Sequence, residues 1–258
     1  MSTLTDQVTP ARILRSEWHK LWTLRSTWIA LLTASTLMLG IGLLMGATYT
    51  SGGGDGDVDT VVLILIGIQF SQIALAVLGI LITAGEYSTG MIRASLTAVP
   101  RRLPVLWSKA AVFGAVTFTL TLITTFVTFL AAQLFLSGTD QAASLADPGV
   151  TRALAGSAAG LTLLGVIALG LGALLRSVPG AIGAFIGGVM ILPEVLGMLP
   201  YAVVSGAAKY FPAKSVEALT SAHVTPGSAS PGAALLAMIL WAAASLAVAG
   251  VALKRRDV

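Results

Sequence analysis

The sequence predicts an all-α, polytopic membrane protein with six transmembrane helices. Three observations predict it. First, 56% of the 258 residues are hydrophobic and only 10% are charged, against about 25% charged in a soluble domain. So little charge does not cover a water-facing surface, and mean hydropathy is +0.91. Second, six apolar blocks occupy residues 29–49, 61–84, 110–136, 153–175, 179–204 and 232–253. Each suffices for a bilayer-crossing helix, which needs about 20 mostly apolar residues. Lipid offers the backbone no hydrogen-bond partners, so each block must be helical. Third, the basic residues divide unevenly between the connections. With six spans, one side of the membrane receives twelve of the fifteen Lys and Arg: Arg12, Arg15, Lys20, Arg25, Arg93, Arg101, Arg102, Lys109, Arg176, Lys254, Arg255 and Arg256. The other side receives Arg152, Lys209 and Lys214, together with the acids Asp55, Asp57, Asp59, Asp140, Asp147 and Glu217. Basic residues accumulate on the cytoplasmic side, so both termini are expected in the cytoplasm of a plasma (inner) membrane protein. The chain 1–258 is expected to be a single transmembrane domain.

The composition also excludes chemistry. There is no cysteine, which removes disulfides, thiol catalysis and thiolate metal sites. His19 and His223 lie far apart and form no metal-ligand spacing. The +4 formal charge resides in the connections between spans, where it serves topology rather than nucleic-acid binding. No Ser/His/Asp set, carboxylate pair or HExxH occurs, so no enzyme activity is expected.

The N-terminal stretch begins with its own pattern. About 28 residues precede the first block, too many for the short basic region of a cleavable signal. Over residues 11–26, Ile13, Leu14, Trp18, Leu21, Trp22 and Leu24 fall on one half of a helix. Arg12, Arg15, Ser16, His19, Lys20, Thr23 and Ser26 fall on the other, and Glu17 and Arg25 interrupt the apolar half. Tryptophans opposite basic residues place such a helix in the membrane interface. A simple anchor and an anchor that also touches a partner both fit.

The first outer connection holds "DGDVD" at 55–59. Thr60 and Ile66 stand where an EF-hand needs Gly and Glu, so the segment reads as a flexible acidic loop and not as a metal site. In the second span, Gln69 and Gln72 share one face. In the third, Thr117, Thr121, Thr124 and Thr128 recur at i, i+4, i+7 and i+11, again on one face. Lining a substrate path and hydrogen-bonding within the helix bundle both fit these polar groups. Gly42/Gly46, Gly156/Gly160 and Gly183/Gly187 read as GxxxG packing pairs. In the fifth span, Pro193 and Pro200 suggest a broken helix. Glu194, beside the break, is the only acid within a span. A charge at the bilayer centre costs at least about 2.5–3.5 kcal/mol, so Glu194 must be protonated, paired or wet. A structural role and a substrate contact both fit it. Residues 205–231 form an outer loop region.

The densest polar stretch is residues 85–109, "GEYSTGMIRASLTAVPRRLPVLWSK", between the second and third spans. A connector of about 25 residues is long for a loop without a role. Residues 88–99 can form a short helix that Pro100 would stop. On charge alone, docking to an acidic soluble partner and ordinary headgroup contact both fit.

This stretch resembles the segment after the second span in permease subunits of type-two ABC exporters. Glu86, Gly90, Arg93, Pro100, Arg101, Arg102 and Lys109 match that pattern; Met91 departs from its usual Thr. The N-terminal "SEWHKLWTLRSTW", the six spans and the basic "KRRDV" are similar to the same family. The resemblance implies that residues 85–109 carry a cytoplasmic coupling helix. Glu86, Gly90, Arg93, Pro100, Arg101 and Arg102 would then engage a separate ABC ATPase subunit. It implies a second permease copy or a sister permease, with ATP and Mg²⁺ bound on the ATPase and no cofactor on this chain. No GxxxxGK[ST] occurs, and the five residues after Leu253 leave no room for an ATPase domain. The expected function is therefore export coupled to ATP hydrolysis on another polypeptide. A secondary transporter, or a scaffold that transports nothing, would need neither ATPase nor coupling helix.

Overall fold

A computed structural model describes residues 9–49, 59–91 and 102–255. Most of those residues are helical, and there is no strand among them. Helix α1 spans Pro10–Thr23 and α2 spans Arg25–Thr48. Helix α3 spans Thr60–Ser88 and contains a 3₁₀ turn at Leu65–Gly67. Helix α4 spans Arg102–Leu136, α5 Val150–Leu175 and α6 Val178–Gly197. Two short helices follow, α7 at Ala202–Ala208 and α8 at Pro212–Thr220. Helix α9 spans Pro231–Arg255. Six of these, α2, α3, α4, α5, α6 and α9, are long and apolar enough to cross a membrane. The chain is a multi-pass membrane protein.

Local chemistry sets the boundaries. Proline stands in the first turn of α1, α6 and α8, where its missing N–H costs no hydrogen bond. The Asp59 side chain caps α3, accepting from the amides of Val61 at 2.9 Å and Val62 at 3.4 Å. Gly90, at φ 74°, stands just past the end of α3 in the left-handed region, which glycine enters without a Cβ penalty. In α6, Phe185–Ile191 is a π-helical segment. It ends two residues before Pro193, whose ring would clash with the carbonyl four residues back in a regular helix. The widened turn lets the helix run through Pro193. The expected break therefore lies at Met198–Pro200 instead.

Packing ranks the spans. In the apolar stretch of α5, 72% of residues are buried, and 56% in α3, against 22–33% in the other four. Helices α3 and α5 are thus the centre. They approach through glycines: a Cβ on Gly79 would meet the Gly165 carbonyl, and one on Gly172 would lie 3.0 Å from Ile80 Cα. Thr83 Oγ1 donates to the Leu169 carbonyl at 2.9 Å across the same contact. Helix α2 presses on the 3₁₀ turn of α3, where a Cβ on Gly67 would lie 2.8 Å from Met38 Cα. Ser71 Oγ donates to the Ala34 carbonyl at 2.7 Å there. Of the three GxxxG pairs, Gly42/Gly46 face Ile64, Thr128 and Ala132, and Gly156/Gly160 face Val216 and Leu219 of α8. Gly183 and Gly187 of α6 meet nothing within 4 Å. Large apolar side chains such as Ile29, Leu32, Ile123, Leu130, Leu134, Leu236 and Val251 point outward and exposed, as a lipid-facing surface requires.

The α8 contact turns part of the expected outer loop into structure. Val216 and Leu219 of α8 are buried against α5 and α9, and Arg152 donates to the carbonyls of Ser221 at 3.2 Å and Ala222 at 2.7 Å.

Replacing Gly79 by valine should lower the melting midpoint of the detergent-solubilised chain. Overpacking of this kind costs about 1–3 kcal/mol, and here the obstacle is backbone. Gly114→Ala, where an added Cβ meets nothing within 4 Å, should be neutral or stabilising by up to about 1 kcal/mol through helix propensity. Melting curves of the two variants check this; equal midpoints would mean the α3–α5 contact is not tight.

Candidate functional site

Four charged side chains converge where α1 meets the end of α3 and the start of α4. Lys109 Nζ donates to Glu17 Oε2 at 2.7 Å and to Glu86 Oε1 at 2.6 Å. Lys20 Nζ donates to Glu17 Oε1 at 2.9 Å and to Glu86 Oε1 at 3.4 Å. Glu17, Glu86 and Lys109 are buried, while Lys20 remains partly exposed. Two acids and two bases make the cluster neutral. Burial lowers the pKa of Lys20, but the hydrogen bond and charge of Glu17, and then those of Glu86, outweigh it and hold Lys20 above its ordinary value.

The buried face of α1 is Ile13, Glu17 and Leu21, an i, i+4, i+8 stripe. Leu14 and Trp18, expected on the apolar half, are exposed. Glu17, expected to interrupt that half, is instead the anchor of the helix. Trp22 packs edge-on against Trp18 and tilted against Trp28, with centroids 5.6 and 4.9 Å away.

The segment 85–109 is reshaped accordingly. Ser88 is the last residue of α3, not the first of a separate helix. Glu86 lies in the last turn of α3. α4 begins at Arg102, eight residues before the apolar block at 110. Both helices continue through polar residues because Glu86 and Lys109 are buried together. Arg93, Pro100 and Arg101, and the 92–99 part of the expected coupling helix, lie outside the described residues. Arg102 is described as the first residue of α4 only.

A cavity of about 420 Å³ opens beside this cluster, walled by α1, the α1–α2 junction, α3 and α4. Glu86 is among its lining residues, and Glu86 Oε2 is buried without a hydrogen-bond partner.

The threonines of α4 are buried and mostly turned back on their own helix. Thr117 donates to the Phe113 carbonyl at 2.7 Å, Thr121 to Thr117 at 2.7 Å and Thr124 to Leu120 at 2.8 Å. Thr121 also reaches the Ala158 carbonyl of α5, and Thr124 reaches Ser35 of α2, each at 3.4 Å. Thr128 packs against Gly42. Gln72 is buried and donates to Gln69 Oε1 at 2.9 Å; Gln69 is exposed.

At the opposite end of the bundle, a cavity of about 1040 Å³ is lined by Asp59, Gln69, Asp140, Gln141, Lys209, Lys214, Glu217 and the 221–229 loop among others. Asp59 Oδ2 accepts from Ser221 Oγ and from the His223 amide, both at 2.9 Å. Tyr49 donates to Asp140 at 2.9 Å. Glu194, three residues before the end of α6, is half-exposed and pairs with Lys214 of α8 at 2.7 Å; Lys214 also pairs with Glu217 at 3.1 Å. Burial of Lys214 opposes its charge, yet these two acids raise its pKa above the ordinary value. Burial likewise raises the pKa of Asp59, but the His223 amide, the Ser221 hydroxyl and its two capping amides overcome this and hold it below 3.8. Among the described residues, no group of three His, Cys, Asp or Glu side chains converges to hold a metal.

Comparison of the sequence with family models and with curated proteins finds no match.

Sequence reasoning singled out Glu86 and Lys109 but not their partners Glu17 and Lys20. The signal was present: a lone acid at i+4 between Ile13 and Leu21 on the face of an amphipathic helix implies a buried cation elsewhere. Asp59 and Lys214 carried no such pattern, because their partners come from loops distant in sequence.

Removing Lys109 should be severe. Lys109→Met leaves two buried acids with only Lys20 between them, a loss of about 3–5 kcal/mol for a broken buried pair. Adding Glu17→Gln and Glu86→Gln should recover most of it, because the uncompensated charge is gone. Thermal melting of the single and triple variants decides; a single variant that melts like the parent would show that the cluster does not hold α1.

The Asp59 clamp predicts an acid limit. Its folded pKa is depressed, so its contribution is fully present above the unfolded value of 3.8. It drains away as pH falls through the folded value. The melting midpoint of the parent should therefore drop below about pH 4 more steeply than that of Asp59→Asn; parallel profiles would refute the clamp.

Proposed function

We propose that this chain is the membrane-spanning permease subunit of an ATP-binding cassette exporter. It couples ATP hydrolysis on a separate ATPase subunit to export of a substrate across the plasma membrane. The observation that carries this reading is the joining of α1, the end of α3 and the start of α4 by one buried ion cluster. The segment between α3 and α4 is the one whose sequence resembles the ATPase-docking segment of such permeases. Its attachment points at Glu86 and Lys109 are tied to each other and to the interfacial helix. A partner docking there would act on three elements at once.

The twelve-to-three distribution of basic residues supports an orientation with this end, and both termini, in the cytoplasm. The α1 helix then lies in the cytoplasmic interface, with exposed Leu14 and Trp18 toward headgroups and acyl chains. A permease of this type works as a pair. The unpartnered Gly183 and Gly187 of α6 offer a small-residue face to a second copy or a sister permease. ATP and Mg²⁺ belong to the ATPase subunit. In this reading Arg93, Arg101 and Arg102 contact acids on the ATPase, while Glu86 is a positioning residue that acts through Lys109.

Arg101→Glu/Arg102→Glu should leave membrane insertion unchanged, since the apolar span that starts at Leu103 is unaltered. Recovery of the ATPase subunit with the tagged permease should fall about tenfold or more, the scale of reversed interfacial charge pairs, and substrate-stimulated ATP hydrolysis should fall with it. Because the chain has no native cysteine, a single cysteine placed at Ser228 reports insertion by labelling from the outside. Normal recovery and normal stimulation in a correctly inserted variant would overturn the coupling role.

A further inference from the structure

We propose that the groove between the α1–α2 junction and α4 binds an anionic phospholipid, with its phosphate at Arg15 and Arg25 and one acyl chain against the tryptophans. The inference does not depend on the proposed transport function.

The apolar seat comes first. A groove of about 330 Å³ is walled by Trp18 and Trp22 of α1, Trp28 and Leu32 of α2, and Leu120 and Ile123 of α4. No charged side chain lines it. Along α2 the wall runs from Trp28 to Ser35, about 10 Å at 1.5 Å per residue. The groove therefore follows the first span inward from the end where α1 lies. Its rims face outward: Trp18 and Trp28 are nearly half exposed, and Leu32 and Ile123 more than half. On a multi-pass membrane protein such a surface meets acyl chains. An amphipathic helix with exposed tryptophan marks the headgroup level. The groove thus starts at the headgroups and descends into hydrocarbon.

Charge selects the lipid. Arg15, Trp18 and Trp22 recur at i, i+3 and i+7 of α1, and Arg25, Trp28 and Leu32 have the same spacing in α2. Each arginine stands one turn from a groove tryptophan, on the same stripe. Both are exposed, and neither makes an ion pair among the described residues. The one acid of α1, Glu17, is already bonded to Lys20 and Lys109. Two unneutralised guanidinium groups beside an apolar groove suit a headgroup of net negative charge, and guanidinium meets phosphate with two parallel N–H donors. A zwitterionic lipid would bring its own cation to the same place. A second copy of this chain fits less well, because a two-fold contact centred here sets the same arginines against each other. A soluble partner does not reach the depth of Ser35 and Ile123.

The test is native mass spectrometry of the detergent-purified full chain with equimolar dioleoyl-phosphatidylglycerol and dioleoyl-phosphatidylcholine, whose tails are identical. The first adduct should be the glycerol lipid by about tenfold or more, the scale of two arginines at a membrane surface. Arg15→Gln/Arg25→Gln should abolish the preference and leave the melting midpoint at that of the parent, since both side chains are exposed and outside the ion cluster. Lys254→Gln/Arg255→Gln removes the same charge from the exposed end of α9 and should leave the preference intact. Ala115→Trp fills the groove from α4 and should remove the preferred adduct; if that variant does not fold, the two charge variants still decide. Equal retention of the two lipids by the parent overturns the proposal. So does a preference that survives Arg15→Gln/Arg25→Gln or Ala115→Trp, or one that Lys254→Gln/Arg255→Gln weakens as much, which would reduce it to general attraction by surface charge. A dimer of the parent that Ala115→Trp splits would give the groove to a second copy and overturn it too.

Discussion

Two carboxylates and two ammonium groups removed from water must be neutralised by one another, and this requirement fixes one end of the molecule. Coulomb energy rises steeply as the local dielectric falls, so Glu17, Glu86 and Lys109 are tolerable in the interior only together. Glu17 and Lys109 are 92 residues apart, and Glu86 and Lys109 are 23 apart. No apolar contact would bring these elements to one point with the same exactness of register. In a bilayer, lipid tails are as apolar as leucine, so burial of grease alone does not set helix positions. An ion cluster has one geometry in which every charge is met. Helix α1 takes its angle from it, and α3 and α4 extend beyond their apolar blocks to reach it.

The rest of the bundle is organised by small residues and backbone oxygens. Gly79, Gly165 and Gly172 let α3 and α5 approach until side chain meets backbone, and Thr83 completes the contact with a hydrogen bond. The α4 threonines serve the same end. Most spend their hydroxyls on their own carbonyls, which removes polar cost without demanding a partner, while Thr121 also reaches α5 and Thr124 reaches α2. The far end is held differently, by loops tied to the capping residue of α3. Asp59 satisfies two amides of its own helix and receives Ser221 and His223 from a loop over 160 residues away. The two ends thus differ in kind: one is a buried neutral cluster, the other an open, partly exposed network around a larger cavity.

This difference explains what the sequence discloses. Residues 153–175 and 232–253 were legible as spans because hydropathy alone defines them, and α5 and α9 extend at most three residues past those limits at either end. Residues 102–109 and 85–88 were not, because Arg102, Pro104 and Lys109 on one side and Glu86 on the other interrupt the apolar runs although both segments are helical. The Pro193 effect was legible as a disturbance but not as a π-helical turn, since a proline fixes a missing donor and not how the helix accommodates it. Glu194 was legible as a charge needing a partner; Lys214 as that partner depended on α8 folding back against α5. Gly42, Gly156 and Gly183 look alike in sequence, and only tertiary packing separates the two that are filled from the one that is bare.

The geometry at Lys109 also constrains how this end can move. Its ammonium group is bonded at once to an acid on α1 and an acid on α3. Sliding the first turns of α4 past the last turn of α3 stretches one of these bonds unless α1 travels with it. Stretching leaves a carboxylate buried and unmatched, and that cost rises steeply rather than in proportion to the displacement. Small movements are therefore shared by all three elements, and larger ones require the cluster to open as a unit, a switch between discrete packings rather than a continuous flexing. Lys20 is the natural first breach, because it is the one member still partly in water. On the proposed function, force applied between Ser88 and Arg102 would reach α1 by this route, through four charges rather than through apolar contact, which transmits little shear.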